Sequence, residues 1–225
     1  MIRNMEKNRV LELESQIPVS EGSVVSQNLA RQSASEVSLY SFGDGESITE
    51  QRSFGDTFYY VAGGKGRFEL EQGVCPAEAG DALMVPHGKP HSVESDGGLQ
   101  ILYIQVFQKG EQEMFIKNFV QNEVVEICEQ ITWETGKIVS KSLVQRDDLT
   151  MTLFAFDAGE GVSTHAAAGD AFVVVLDGSA EITVDGVVNV AKKGQSIIMP
   201  ANIPHSVKAV TPYKMLLIVV KPEKE

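Results

Sequence analysis

Short segments rich in Val, Ile, Leu, Phe and Thr recur along the chain with turn residues between them. In the second half they are LTMTLFAF, AFVVVL, AEITV, VVNVA, QSIIMP, HSVKAV and KMLLIVV, and Asp177-Gly178, Asp185-Gly186 and Lys193-Gly194 separate several of them. Runs of this length and composition, bounded in this way, predict β-strands. Asp185-Gly186 between two such runs predicts a two-residue hairpin. The first half repeats the layout with YSF, TFYYVA, RFEL, DALMVP and LQILYIQVF. Each half is therefore expected to close as an antiparallel β-barrel or jelly roll.

A shift of 114 residues lays the chain on itself without a gap. It superposes Phe42 on Phe156, Gly45-Glu46 on Gly159-Glu160, Gly55-Asp56 on Gly169-Asp170, Gly64 on Gly178, Gly80 on Gly194 and Pro86 on Pro200. Pro90-His91-Ser92-Val93 recurs as Pro204-His205-Ser206-Val207. A period this long gives each copy enough chain to bury its own core. The expected organisation is one barrel over 10–108, a connector over 109–123 and a second barrel over 124–222. Met114, Phe115, Phe119 and Val120 are spaced to share one side of a short helix, so a short helical connector is expected, with a plain linker turn as the alternative.

Composition narrows the function classes. The 225 residues are 43% hydrophobic and 22% charged, which is an ordinary globular balance. The longest apolar stretches, such as Ala171 to Leu176, fall far short of the ~20 residues of a membrane span. The N-terminal MIRNMEKNRVLELE lacks the apolar segment of a secretory signal. Two cysteines, Cys75 and Cys128, make no disulfide framework. A cytoplasmic protein is expected. With 19 Lys and Arg against 31 Asp and Glu, the formal charge is -12, and no basic run offers a nucleic acid or an anionic membrane a partner. A small molecule is the expected partner, and the edge strands of such barrels leave a homodimer open.

The glycines, prolines and histidines are spaced as in cupins, small double-stranded β-helix barrels with the motifs G-x5-H-x-H-x3,4-E-x6-G and G-x5-P-x-G-x2-H-x3-N. In the second half these fall on Gly159, His165, Ala167, Ala171 and Gly178, then on Gly194, Pro200, Asn202, His205 and Ala209. In the first half they fall on Gly45, Gln51, Ser53, Thr57 and Gly64, then on Gly80, Pro86, Gly88, His91 and Ser95. The chain resembles a bacterial-type bicupin over nearly its whole length. The resemblance implies an all-β fold of two tandem cupin barrels. In cupins with the full set, three His and one Glu hold a divalent metal.

This chain departs from that set in both halves. The second half keeps His165 and His205 as candidate metal ligands, with Ala167 and Ala171 at the other two positions. Two imidazoles hold a divalent ion (Zn, Mn, Fe or Ni) only weakly, because firm sites add a third protein ligand. Asp170 stands one residue before the family's Glu position, where a regular strand turns its side chain to the other face. Its recurrence as Asp56 favours a turn or strand-start role for both. In the first half Gln51, Ser53, Tyr59 and His91 are candidate ligand-binding residues for a small polar molecule in a metal-free pocket. No nucleophile elbow or phosphate-cradling loop is present, so no catalytic residue is assigned.

The fold alone names no reaction. The leading expectation is a bicupin that binds a small polar molecule, through a weakly held divalent metal in the C-terminal barrel. The alternatives are a metal-dependent enzyme, a dioxygenase or sugar-type isomerase with Glu160 or Asp170 completing the metal sphere, and a non-catalytic sensor or assembly barrel.

Overall fold

The computed structural model describes residues 1–107 and 114–223. The first half holds β1 (Leu11–Glu12), β2 (Val24–Arg31), β3 (Ser35–Phe42), β4 (Ser47–Arg52), β5 (Gly55–Leu70), β6 (Gly73–Glu78), β7 (Asp81–Val85) and β8 (Pro90–Phe107). The second half holds β9 (Val125–Glu126), β10 (Ile138–Gln145), β11 (Leu149–Phe156), β12 (Gly161–His165), β13 (Asp170–Asp177), β14 (Ser179–Val184), β15 (Val187–Lys192), β16 (Gln195–Met199), β17 (His205–Ala209) and β18 (Tyr213–Val220). No helix among the described residues is long and apolar enough to cross a membrane.

The shift of 114 residues maps β2, β3, β6 and β7 end for end onto β10, β11, β15 and β16. All strand pairs among the described residues are antiparallel. The first half makes one sheet in the order β2-β3-β8-β5-β7-β9, with β4 on β8 and β6 on β5. The second divides the same pattern into β1-β16-β13-β18-β11-β10 and β12-β17-β14-β15, because β5 and β8 each correspond to two strands there. That division falls at Gly178, whose φ is +69° and whose missing Cβ leaves room for the Pro212 carbonyl; Gly64 does the same against Gly98. Any side chain would collide with backbone at either position. Inside, Phe42, Val61, Phe68, Leu83, Leu99 and Ile101 fill one barrel, and Phe156, Val175, Ile182, Ile197, Tyr213 and Met215 fill the other. The all-β tandem fold is as the sequence predicts.

The leading segments depart from expectation. The chain separates into Glu14–Ile127 and a second unit composed of Met1–Leu13 with Cys128–Glu225. β1 pairs with β16, Leu11 opposite Ser196, and β9 pairs with β7, Val125 opposite Ala82. Each leader therefore completes the barrel other than the one it precedes, and of the expected boundaries only residues 10–13 and 124–127 fall in the other unit. The aspartates explain the docking. Asp170 Oδ2 accepts from the Ile2 N–H (2.8 Å) and the Lys7 ammonium (2.7 Å), and its Oδ1 accepts from the Ala201 N–H (3.0 Å). Asp56 repeats this with the N–H groups of Phe115 (2.6 Å), Ile116 (3.1 Å) and His87 (3.1 Å).

The helical connector is corrected by the same contacts. Residues 114–123 form no helix. Asn118 and Asn122 hold φ of 58° and 54°, which a right-handed helix excludes, and the Phe115 and Ile116 N–H groups go to Asp56. The apolar spacing instead buries Phe119 edge-on against Phe58, centroids 5.0 Å apart. Residues 109–113 lie outside the described residues. Asn4 and Asn8, with φ of 58° and 61°, are the counterparts in the first leader.

Candidate functional site

In each barrel the candidate residues lie on two neighbouring strands. His165 on β12 is the cross-strand partner of His205 on β17, and Gln51 on β4 is the partner of His91 on β8. Directly opposed residues bring their Cβ atoms within about 5 Å. Both pairs follow a one-residue irregularity, between Val162 and His165 and between Ile48 and Gln51. Such bulges redirect a side chain without ending the strand. The local backbone is thus the same in both barrels, and side-chain chemistry makes the difference.

The structure brings His165 and His205 together, with ring centroids 4.6 Å apart and planes at 64°. His165 is exposed and His205 buried. Each Nδ1 meets a backbone carbonyl two residues upstream, Ser163 at 2.9 Å and Ile203 at 2.8 Å. A carbonyl only accepts, so Nδ1 carries the proton and Nε2 of the neutral ring keeps its lone pair. No protein group among the described residues bonds either Nε2. Among the described residues no fully sealed side-chain nitrogen lacks a partner, so His205 Nε2 is not completely closed off from solvent. Burial, and secondarily the neighbouring His165, lower the His205 pKa against the opposing Ile203 hydrogen bond.

The N-terminal barrel ties up its histidine. His91 Nδ1 donates to the Lys89 carbonyl (3.0 Å), so Nε2 accepts, and the Tyr59 hydroxyl donates to it at 2.6 Å. Gln51 Nε2 donates in turn to the Tyr59 oxygen (3.4 Å). Burial, reinforced by Tyr103 and Tyr40, pushes the Tyr59 phenol well above its ordinary pKa, so it remains a donor. His91 is lowered by burial, against the Lys89 bond. Gln51, Tyr59 and His91 thus form one chain, while Ser53 is buried and outside it, its backbone carbonyl accepting from the Gly88 N–H (3.1 Å). A cavity of about 40 Å³ lies against Gln51 and Tyr59 and is also lined by Tyr40, Phe42, Ile48 and Tyr103. Ser53 is not among its lining residues. At ~10–15 Å³ per water, the space suits a few solvent molecules.

Sequence reasoning passed over Tyr40 and Tyr103, which stack edge-on at 5.4 Å, although their counterparts Phe154 and Leu217 mark a polar-to-apolar change between the copies. It also passed over what Asp170 and Asp56 hold. Asp170 is fully buried and committed to Ile2, Lys7 and Ala201, which leaves it no role beside the histidines. No group of three or more His, Cys, Asp or Glu among the described residues is arranged to hold a metal ion.

The lowered histidines predict a pH dependence. The unfolded chain takes up a proton at each site near pH 6.5, whereas the folded chain does so only further down. Between those values the unfolded state binds more protons, so stability is fully present above 6.5 and is lost as pH falls through the window below it. Melting temperatures measured from pH 7.5 to 5 should decline below 6.5, and His91→Gln should flatten the decline. A melting temperature that rises on acidification would contradict the assignment of neutral, buried rings.

The family described as "Cupin domain" matches residues 38–107 and 152–221. Among solved structures, the chain is similar to a cupin 2 conserved barrel domain protein from Leptotrichia buccalis, with 34% identity over 98% of this chain and 100% of that one and a TM-score of 0.84. A conserved protein of unknown function from Streptococcus pyogenes is 40% identical over 51% of this chain and 100% of its own, at a TM-score of 0.49. A salicylate 1,2-dioxygenase from Pseudoaminobacter salicylatoxidans, solved as adducts with gentisate, shares 13% identity over 94% of this chain and 80% of that one, with a TM-score of 0.63. That likeness extends to the fold alone. No curated protein matches the chain.

Proposed function

The chain belongs to the cupin family in both of its halves, and from that premise we propose that it is a binding bicupin which takes a small polar molecule at the His165–His205 pair of its C-terminal barrel. One observation carries this: both Nδ1 atoms are fixed on backbone carbonyls, which leaves the two Nε2 lone pairs free on rings whose centroids are 4.6 Å apart. Outer bonds of this kind fix the tautomer of metal-binding and hydrogen-bond-accepting imidazoles alike.

The donor set fits a loosely held borderline divalent ion, with His165 and His205 as its protein ligands. It does not fit the firm centre of a metal-dependent oxygenase, since Ala167 and Ala171 occupy the remaining family positions and Asp170 is engaged elsewhere. Such an ion, when bound, would supply a Lewis-acid contact for an oxygen of the small molecule. The protein's own part is to present two neutral acceptors and to keep their orientation. Binding is accordingly favoured over dioxygenase or isomerase chemistry.

A zinc titration of chelator-treated protein tests this. One site per chain is expected, and His165→Ala or His205→Ala should weaken it at least as much as the ~10–100-fold that follows loss of an outer partner. His91→Ala should leave it unchanged. Loss of zinc in the His91 variant with retention in the His165 variant would reverse the assignment of the barrels.

A further inference from the structure

β15 is the outer strand of its sheet, laddered only to β14. Asp185 and Gly186 join the two strands with φ of 50° and 78°, the two positive values of a type I′ turn. Val184 and Val187 are then the closing hydrogen-bonded pair, and the alternation of an antiparallel ladder follows. Val187, Asn189 and Ala191 turn their backbone groups toward β14, and Val188, Val190 and Lys192 turn theirs outward. The Lys192 N–H is capped by Gln195 Oε1 at 2.9 Å, and Glu78 in the matching strand β6 is capped by Asp81 Oδ2 at the same distance. That leaves Val188 and Val190, which are 59% and 51% exposed.

The two barrels treat this edge differently. At the position of Val190, β6 carries Pro76, which has no N–H to offer. Proline on an edge strand is a common guard against pairing with another chain. β15 has no such guard, and apolar side chains flank its open backbone groups.

We propose that β15 pairs with β15 of a second copy, antiparallel about a two-fold axis through Asn189. In that register Val188 lies opposite Val190 of the second copy and exchanges both backbone hydrogen bonds with it, and Val190 does the same with the other Val188. Asp185 then lies opposite Lys193 of the second copy, at each end of the junction. Both residues are exposed, so the edge is self-complementary in charge as well as in hydrogen bonding. A shift by one residue would present backbone groups that already face β14.

Light scattering coupled to gel filtration, over a range of concentrations, tests the pairing on the full chain. Wild type should have twice the 24.5 kDa chain mass. Val190→Pro copies the guard of the other barrel and should give the monomer with an unchanged circular dichroism spectrum, since that N–H is outside the β14 ladder. The double variant Val188→Lys with Val190→Lys, which keeps every backbone group, should be monomeric too. Lys193→Glu sets like charges opposite each other and should raise the dimer dissociation constant several-fold. A wild-type monomer at every concentration, or a dimer that survives both the proline and the lysine variants, overturns the proposal.

Discussion

Asp170→Ala should release the N-terminal leader from the C-terminal barrel and leave the barrel that the leader precedes intact. The carboxylate takes two backbone N–H groups, Ile2 and Ala201, at 2.8 and 3.0 Å in a fully buried setting. Hydrogen bonds to a charged acceptor are worth about 1.5–3 kcal/mol each, and their loss strands the donors. The Lys7 contribution is smaller, because its side chain is 32% exposed and solvent screens the pair. A destabilisation of about 3 kcal/mol is therefore expected. In hydrogen exchange, residues 1–13 and β16 should lose protection while β7 keeps it. Asp56→Ala should give the mirror image, with loss over 114–127 and β7. Loss of protection in β7 on substituting Asp170 would show that the leaders are not exchanged.

The second large effect concerns what separates the barrels. His91 and His205 occupy matching positions on a matching backbone, yet one Nε2 is open and the other is taken by Tyr59 at 2.6 Å. Tyr59 stands where the C-terminal barrel has Val173, and Gln51 where it has His165. Gln51→His combined with Tyr59→Val should therefore build a second two-imidazole site. Trimming a buried tyrosine opens a cavity and should cost a few kcal/mol, about 3–5 for a large aromatic cut to alanine and less for valine. In a double variant that still folds, zinc stoichiometry should rise from one to two per chain. A folded double variant that still takes one zinc would mean that Tyr59 and Gln51 are not what closes the N-terminal barrel.

Much of this arrangement is legible in the sequence. The glycines and prolines that recur at a shift of 114 residues carry the fold, since Gly64 and Gly178 sit where the backbone admits no Cβ. The pairing of His165 with His205 follows from their motif positions. The leaders are harder to read, because their repeat is carried by Ile2, Asn4, Asn8 and Val10 against Ile116, Asn118, Asn122 and Val124, in segments too polar for a strand signal. The apolar spacing of Met114, Phe115, Phe119 and Val120 imitates a helix, and only the left-handed asparagines deny it. Asp170 stands at the start of β13, the strand-start role that its recurrence as Asp56 suggests, but two of its partners, Ile2 and Lys7, lie over a hundred and fifty residues away in sequence, beyond the reach of local pattern.

The account turns on two open Nε2 atoms in one barrel and a closed one in the other. Proton–nitrogen NMR of the imidazole rings, recorded above pH 7 on chelator-treated protein and then with zinc added, observes those atoms directly. His165, His205 and His91 should all carry a proton on Nδ1. Zinc should then shift the Nε2 resonances of His165 and His205 together and leave that of His91, held by Tyr59, in place. A proton on Nε2 of His165 or His205, or a zinc-dependent shift at His91 alone, would contradict it.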